Sequence, residues 1–430
     1  MSRSEKYYVN DYSQGSFGTS IKDWQERLDV HRMRSDRLAK ANAALAKHKL
    51  CGILSINEYN TRYITGTNTA AWTRENSGLR YSLLPTGGKP FMYEQGDIGY
   101  HTRRNVPWLE DRVESAITGA GWTGFIMGPA AQEAQSKKMA KQIKAQLKAD
   151  GADLKLPLGI DHWDLAVIGA LEKEGIKVAN AWPAMYDARE CKTEDEVECL
   201  RIGCAIGEGM FQKLKESIKP GVRESEMMGV MIGEAYRLGA NWAGGSFAAS
   251  GPMTWPNIRH FGDRIVRPGD VVYADVYKTA FLEYKICYYR TFSCGKPHQA
   301  TVDAYNRAVD WLYDSIDVIK DGITTKDIAD RWPDSTKIWS DIGVDNEDKT
   351  AGNNWAHGIG LSLYERPIVW RAVSLDHPLP IKENMTFAIE TQEGDGRGQG
   401  VRIEEMLRVT KTGCEILSRW PIDHITVCES

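Results

Sequence analysis

The stretch VVYADVYKTAFLEYKICYYRTFSCG, residues 271–295, decides the fold prediction for this chain. Two runs rich in apolar and β-branched residues, 271–276 and 287–293, predict strands at either end of it. Asp275 stands near the end of the first run, and Arg290-Thr291-Phe292 lies in the second. Three downstream segments also carry polar residues within strand-like surroundings: NNWAHGIGLSLYERP (353–367), MTFAIETQEG (385–394) and GVRIEEMLRVTKTGCEIL (400–417).

Together these four segments resemble the creatinase, aminopeptidase P and methionine aminopeptidase superfamily, whose catalytic domain has the pita-bread fold. The resemblance implies metal ligands in the order Asp, Asp, His, Glu and Glu, carried on strands of a curved sheet. The matching positions are Asp275, Cys287, His357, Glu390 and Glu404. A cysteine therefore stands where the second aspartate of the superfamily belongs.

Flanking residues support these matches. Asp275 follows Asp270 of a Pro-Gly-Asp turn by five positions, and Glu404 precedes Thr410 by six, as the first and last ligands of the superfamily do. The superfamily's Arg-Thr-Phe normally follows Asp-x-Thr, which puts the missing aspartate at position 287, although the gap from 275 is one residue longer than usual. No register that keeps Arg-Thr-Phe supplies a carboxylate at the second site.

The missing aspartate limits the metal content that the resemblance implies. A bridging carboxylate offsets the repulsion of two cations about 3.5 to 4 Å apart, and a neutral side chain does not. We expect one divalent ion (Fe, Zn or Mn) or none, with Asp275, His357, Glu390 and Glu404 as candidate ligands. Cys287 could add a thiolate, which favours a softer ion. Without a metal, the acids would need another cation, such as a guanidinium, quaternary ammonium or sulfonium group of a substrate.

The resemblance also indicates candidate catalytic residues, among them His357 and Glu390. His260 lies near the position of the general base and acid of creatinase, and we take it as the candidate proton shuttle because imidazole titrates near neutrality. Tyr364 stands seven residues after His357, where the peptidases of the superfamily carry a second histidine. This difference argues against a general peptidase.

Candidate substrate-binding residues are Trp72, Trp255 and Arg290. The chain has 14 tryptophans, and stacked indoles can hold a cationic head group by about 0.5 to 2 kcal/mol per ring. Core packing is the alternative role for each tryptophan, and an ordinary surface position is the alternative for His260.

Upstream, the chain predicts a second domain of α/β type. Strand-like runs at 81–84, 124–127 and 158–160 alternate with helical runs at 132–148 and 164–173. This alternation is typical of helices that cross over a sheet.

A capping box from Thr193 to Glu196 predicts the start of a helix that runs to about Ser217. This passage resembles the opening of the superfamily's catalytic domain, so we place the boundary at 185. The fold prediction is an N-terminal α/β domain (1–185) and an α+β pita-bread catalytic domain (186–430), with a curved antiparallel sheet covered by helices on one face.

Composition excludes several classes of protein. A formal net charge of -4 and a pI of about 6.2 argue against a nucleic-acid binder. No run of about 18 apolar residues predicts a membrane span, and the N-terminus has no apolar signal core, so we expect a cytoplasmic protein. The eight cysteines form no CxxC pair, and disulfides are not expected.

The pattern SGPxTxPxxxxxGxRI (250–265), with YxIC and HGxGL further on, is most similar to the dimethylsulfoniopropionate lyase branch of the superfamily. It implies cleavage of a C–N or C–S bond, by hydrolysis or β-elimination, in a small zwitterionic or cationic metabolite. A one-metal Xaa-Pro aminopeptidase and a non-catalytic binding protein on the same fold are the alternatives. Two-domain relatives are commonly dimers, so the resemblance implies a homodimer acting on a small-molecule substrate.

Overall fold

The computed structural model describes residues 28–68, 79–96, 98–162, 164–256, 260–350 and 354–428. The chain forms two compact units, and the division between them falls between Arg189 and Glu190. No helix within these described ranges is long and apolar enough to cross a membrane.

The N-terminal unit combines one mixed sheet with helices. Its elements in chain order are α1 (Val30–Lys47), β1 (Gly52–Ser55), α2 (Glu58–Thr65), β2 (Tyr81–Pro85), β3 (Phe91–Glu94), α3 (Ile98–Asn105), β4 (Val113–Ser115), α4 (Pro129–Ala149), β5 (Leu158–Ile160), α5 (Leu165–Lys173), β6 (Val178–Asn180) and α6 (Trp182–Arg189). The strand order is β4-β3-β2-β1-β5-β6. Apolar residues of β1, β2 and β5 pack with those of α4 and α5 in one core, which confirms the predicted α/β character of this unit.

One predicted strand of this unit, at 124–127, is wrong. Residues Gly121–Met127 form a 3-10 turn directly before α4. Phe125, Ile126 and Met127 are 64%, 82% and 53% exposed. The apolar run lies on the surface of the unit, so burial does not select an extended strand there.

The C-terminal unit contains the remaining elements. They are α7 (Glu194–Ser217), α8 (Glu224–Arg237), β7 (Phe247–Ser250), β8 (Val271–Asp275), β9 (Ala280–Phe281), β10 (Tyr284–Lys285), β11 (Tyr289–Cys294), α9 (Gln299–Ile316), α10 (Thr325–Ala329), α11 (Ser335–Ile338), β12 (Trp355–Gly358), β13 (Glu365–Trp370), α12 (Arg371–Ser374), β14 (Thr386–Gly394), β15 (Gly400–Val409), β16 (Cys414–Ile416) and β17 (Thr426–Cys428). Short 3-10 turns lie at Gly251–Thr254, after β7, and at Ser340–Ile342 and Glu347–Lys349, before β12.

The strands of this unit form sheets of four, five and two strands, in the orders β17-β11-β8-β7, β13-β12-β14-β15-β16 and β10-β9. Neighbours are antiparallel except for β11 and β17. Helices α9 and α10 pack on the five-stranded sheet through a core that includes Leu312, Ile328, Phe387 and Leu407. This arrangement is the predicted α+β domain.

The predicted capping box begins α7. Thr193 Oγ1 accepts a hydrogen bond from the Glu196 N–H, and the Glu196 carboxylate accepts one from the Thr193 N–H at 2.8 Å. The helix ends at Ser217, as the Lys219-Pro220-Gly221 sequence predicts. Glu196 also accepts a hydrogen bond from the Tyr284 hydroxyl at 2.9 Å, which ties the start of α7 to the β9–β10 hairpin.

Candidate active site

Strand pairing brings three acids and a histidine to one buried place in the C-terminal unit. Asp275 is the last residue of β8, and His357 lies on β12. Glu390 on β14 and Glu404 on β15 are direct cross-strand partners. Since alternate residues of a strand share a face, each of these side chains has a fixed direction. All four side chains are buried.

Cys287 lies among these groups. Its Sγ is 3.6 Å from Glu404 Oε2, 3.8 Å from Asp275 Oδ1 and 3.9 Å from Asp275 Oδ2. Burial and the nearby charge of Asp275 raise the pKa of the thiol well above its ordinary value. A neutral thiol therefore stands between two carboxylates in the protein without bound metal. We call Asp275, Cys287, His357, Glu390 and Glu404 the acid cluster.

His357 is oriented by a β-bulge. The register of β12 against β13 shifts between His357 and Gly358, and a Cβ on Gly358 would lie 2.2 Å from the Arg366 carbonyl oxygen. His357 Nδ1 lies 3.2 Å from the Gly358 carbonyl oxygen, which can only accept, so this contact favours the tautomer with the proton on Nδ1. Burial lowers the pKa of His357 to about 4, which keeps the ring neutral.

The free lone pair of the histidine faces a carboxylate. His357 Nε2 is 3.7 Å from Glu404 Oε1, and Glu404 Oε1 is buried with no hydrogen-bond partner. A buried carboxylate oxygen without a donor is costly, and an imidazole lone pair facing it adds repulsion. A cation between the two atoms would remove both costs.

The carboxylates of the cluster repel one another. Burial and the charge of Glu390 raise the pKa of Asp275 and Glu404. Asp275 accepts hydrogen bonds from the Tyr277 N–H at 2.8 Å and from the Tyr289 hydroxyl. These hydrogen bonds favour its ionised form but do not outweigh burial.

Arg402 supplies a positive charge to the cluster. Its Nε donates to Glu390 Oε2 at 2.8 Å, and its guanidinium lies 4.2 Å from the centre of the Tyr289 ring. Arg402 precedes Glu404 by two positions on β15, so both side chains point to the same face. This alternation, applied to the sequence RIE, could have identified Arg402 as a residue of the site, and the sequence analysis missed it.

The neighbouring residues Glu405 and Arg290 form a separate pair on the opposite face of their strands. Arg290 Nη2 lies 2.8 Å from Glu405 Oε2, and the Ser418 hydroxyl also donates to Glu405. Arg290 Nε donates to the Trp420 carbonyl oxygen at 2.9 Å. The arginine is fully buried by protein contacts, so its surroundings do not fit the substrate-binding role expected for it. The cause is strand alternation, which turns Tyr289 toward Asp275 and Arg290 away from it.

Aromatic rings border His357. The ring of Tyr364 lies 4.9 Å from that of His357 in an edge-on arrangement, and Trp355 lies 5.3 Å from His357 and 5.6 Å from Tyr364. Tyr364 is 49% exposed, whereas His357 is buried. The ring pair of Trp355 and Tyr364 therefore joins the buried histidine to the surface of the unit. Trp355 also directly opposes Glu390 across β12 and β14.

Trp255 lies at the far end of the β14–β15 pair. A Cβ added to Gly394 or Gly400 would lie 2.6 or 2.7 Å from its indole, and its Nε1 donates to Asp341 Oδ2 at 2.9 Å. Gly394 is four residues from Glu390, which is roughly 13 Å along a strand. The indole covers the strand ends and not the acid cluster.

Two further candidates do not join the cluster in the described part of the chain. His260 is exposed, its ring stacks on Phe261 at 4.5 Å, and its Nδ1 lies 2.7 Å from the Phe261 carbonyl oxygen. No hydrogen bond or ion pair links it to the acid cluster among the residues described. Trp72 lies outside the described residues.

The acid cluster fits one divalent ion. Cys287 Sγ, an imidazole nitrogen of His357 and a Glu404 carboxylate oxygen all lie within 4.8 Å of one another, and all three residues are buried. Thiolate, imidazole and carboxylate are the donor types of zinc and iron sites. The unpartnered Glu404 Oε1 and the neutral His357 ring are the two observations that support a cation at this position.

Comparisons with known proteins agree with this geometry. Residues 198–411 match the model of metallopeptidase family M24. The chain is 23% identical to the dimethylsulfoniopropionate lyase DddP of Roseovarius nubinhibens over 92% of this chain and 87% of that protein. It is 22% identical to the probable dipeptidase PepE of Mycobacterium bovis over 91% of this chain and 96% of that protein.

Solved structures show the same fold. The crystal structure of dipeptidase PepE from Mycobacterium ulcerans matches with a TM-score of 0.71 at 20% identity, covering 94% of this chain and all of that one (100%). The prolidase of Pyrococcus horikoshii matches with a TM-score of 0.69 at 21% identity, covering 91% and 100%. Family M24 generally uses divalent metals, in keeping with the buried ligand cluster. Residues 198–411, which include all five residues of the acid cluster, form a domain of metallopeptidase family M24.

Proposed function

We propose that this M24 enzyme cleaves a C–N or C–S bond in a small zwitterionic or cationic metabolite, by hydrolysis or β-elimination, with one divalent ion in the acid cluster. One observation carries the proposal: two buried carboxylates, Asp275 and Glu404, contact a thiol, Cys287, at the position that a metal-bridging aspartate occupies in the superfamily. Without that aspartate, two adjacent cations lack a shared anionic ligand.

The charge of the cluster supports both the single metal and the cationic substrate. Asp275, Glu390 and Glu404 carry three negative charges when ionised, and Arg402 offsets one of them. One divalent ion balances the remaining two. In the metal-free protein the same excess favours a ligand that brings its own positive charge.

The rings beside His357 support the same class of substrate. Trp355 and Tyr364 lie 5.6 Å apart, and Tyr364 reaches the surface. Aromatic faces attract quaternary ammonium and sulfonium groups by about 0.5 to 2 kcal/mol per ring. We assign these two residues to the head group of the substrate, in place of Trp255 and Arg290.

The chain's own residues would divide the reaction between them. A bound divalent ion would polarise a substrate oxygen. His357 would hold that ion together with Glu404, and Glu390 would stay fixed by Arg402. In an elimination, Asp275 would take the proton from the carbon next to the substrate's carboxylate. The C–H electron pair would form the C=C bond, and the C–S electron pair would leave with the sulfur.

The role of proton shuttle assigned to His260 stays a prediction. Its imidazole faces Phe261 in the structure, so the role requires that His260 approach the cluster when substrate binds. Replacement by alanine would lower kcat if the histidine shuttles a proton and would leave it unchanged if it does not.

A Xaa-Pro aminopeptidase or dipeptidase is the second candidate. The likeness to PepE over 91% of the chain favours it, and so does the retention of His357 and both glutamates. Tyr364 in place of the second histidine speaks against it, because that histidine helps to bind the peptide in the peptidases of the superfamily.

The deciding experiment is a substrate panel on purified protein supplied with Zn, Mn or Fe(II). Dimethylsulfoniopropionate and creatine represent the proposed class, and short Xaa-Pro peptides represent the peptidase. Products would be followed by NMR, which detects both hydrolysis and elimination. Turnover of peptides alone would replace the proposal with the peptidase, and binding without turnover of any substrate would favour the non-catalytic alternative.

A further inference from the structure

We propose that Cys287 is itself a metal ligand, so that Cys287, His357 and Glu404 form a mononuclear site, while Asp275 and Glu390 stay outside the coordination sphere. The inference rests on the proposed function, because it specifies the ion of the same cluster. It predicts a thiolate-bound ion such as Zn²⁺ or Co²⁺ at a position where the superfamily uses oxygen and nitrogen ligands.

The distances between donor atoms fit a tetrahedral ion. Bond lengths of about 2.3 Å to sulfur and about 2.0 to 2.1 Å to nitrogen and oxygen put adjacent ligand atoms of tetrahedral zinc roughly 3.3 to 3.6 Å apart. Cys287 Sγ lies 3.6 Å from Glu404 Oε2, and His357 Nε2 lies 3.7 Å from Glu404 Oε1. Each of these two pairs of donor atoms is therefore spaced close to what one ion requires, with Glu404 offering a different oxygen to each partner.

The two remaining acids have other partners. Glu390 is held by the Arg402 guanidinium at 2.8 Å, a charge-assisted contact that replaces a metal as its counter-charge. Asp275 accepts from the Tyr277 N–H and the Tyr289 hydroxyl. The buried carboxylate oxygens of Asp275 and Glu390 therefore have hydrogen-bond donors, whereas Glu404 Oε1 has none among the described residues.

Binding of the ion changes the thiol. The S–H bond breaks, its proton passes to solvent, and the sulfur keeps the electron pair that it donates to the metal. One bond forms and one breaks, with no change of oxidation state. A thiolate ligand also favours zinc and cobalt over manganese, because sulfur is a soft donor.

Cobalt binding tests the proposal without reference to activity. Titration of the full chain with Co²⁺ should show one ion per chain and an intense sulfur-to-cobalt charge-transfer band in the near ultraviolet. Cys287→Ser should abolish the band and weaken binding at least tenfold. Cys204→Ser is the matched control, because Cys204 is an equally buried thiol that lies next to Met406 and outside the cluster, and it should keep the band.

A gain of metal provides the second arm. Cys287→Asp restores the shared carboxylate and should raise the stoichiometry from one ion to two per chain, measured by elemental analysis. Two ions in the natural protein, or one bound cobalt without the charge-transfer band, would overturn thiolate ligation. The charge-transfer band is measured on the natural protein, so this part of the test does not depend on whether a variant folds. Turnover of a cationic substrate in either case would leave the proposed function standing.

Discussion

Glu390 and Glu404 face each other as direct partners across the antiparallel strands β14 and β15, and both are buried. Like charges at directly opposed positions destabilise a sheet, and burial increases the penalty. The pair is tolerable because each carboxylate has a different counter-charge available. Arg402 forms an ion pair with Glu390, and the position between Glu404, His357 and Cys287 can hold a cation.

The first prediction concerns Glu404. Glu404→Gln should reduce turnover at least a hundredfold and weaken metal binding. The substitution removes the charged group of the proposed metal site, which lies next to both His357 and Cys287. In metal-free protein the same substitution should leave the melting temperature unchanged or raise it, since it removes a buried charge whose pKa is raised by burial and by Glu390. Metal titration and thermal melting with chelator check both parts.

Its neighbour Glu405 is the matched control. Glu405→Gln breaks the buried ion pair with Arg290 and should lower the free energy of unfolding by about 3 kcal/mol. It should leave the metal affinity of the folded protein close to that of the natural chain. An exchange of these outcomes between the two variants would mean that Glu405 is the metal ligand.

The second prediction concerns the pair of Arg402 and Glu390. Arg402→Met should lower the free energy of unfolding by about 3 to 5 kcal/mol, because a buried carboxylate loses its partner. The double variant Arg402→Met with Glu390→Gln should recover much of that loss. Urea denaturation of the single and double variants with chelator measures the coupling, and strictly additive effects would show that the two residues do not stabilise each other.

The sequence predicted the positions of the cluster better than its electrostatics. Asp275, His357, Glu390 and Glu404 stand inside motifs whose spacing places them on strands, and strand alternation separates Glu404 from Glu405. The ion pair of Glu390 with Arg402 forms because Arg402 and Glu404 lie on the same face of β15. A comparison of sequence motifs does not include this information. Arg290 shows the reverse relationship, because its motif is close to the cluster in sequence while strand alternation turns its side chain away.

Surface position explains the failure at 124–127. Its apolar residues match a buried strand in composition, yet Ile126 and its neighbours lie on the surface of the N-terminal unit. The composition of a short apolar run does not show whether a neighbouring strand is available for it to pair with. The longer helices α4 and α5 were predictable because their apolar spacing repeats over several turns.

The third prediction is a pH dependence of the metal-free protein. Burial and Glu390 raise the pKa of Asp275 to about 8, so its contribution to stability is present at low pH and is lost as the pH rises through about 8. Burial lowers the pKa of His357 to about 4, so its contribution is lost as the pH falls below about 6.5. Below about pH 6.5, Asp275 and His357 change the stability in opposite directions as the pH varies. Above about pH 6.5, only the ionisation of Asp275 changes the stability.

The melting temperature of the chelated protein should therefore fall between about pH 6.5 and pH 8. Asp275→Asn should flatten that fall, because the amide does not ionise and can still accept from the Tyr277 N–H. Added zinc should flatten it too by neutralising the cluster. A melting temperature that rises over this interval in the chelated natural protein would contradict the assigned direction.

The fourth prediction separates ring from hydroxyl at Tyr364. Tyr364→Ala should raise KM for a cationic substrate about two- to fivefold, which corresponds to the roughly 0.5 to 1 kcal/mol of an exposed cation–π contact. Tyr364→Phe keeps the ring and should keep KM. Because the side chain is 49% exposed, neither variant should change the melting temperature by more than a few degrees. The same KM increase for an uncharged analogue, or an equal loss in the phenylalanine variant, would show that Tyr364 does not act through its aromatic face.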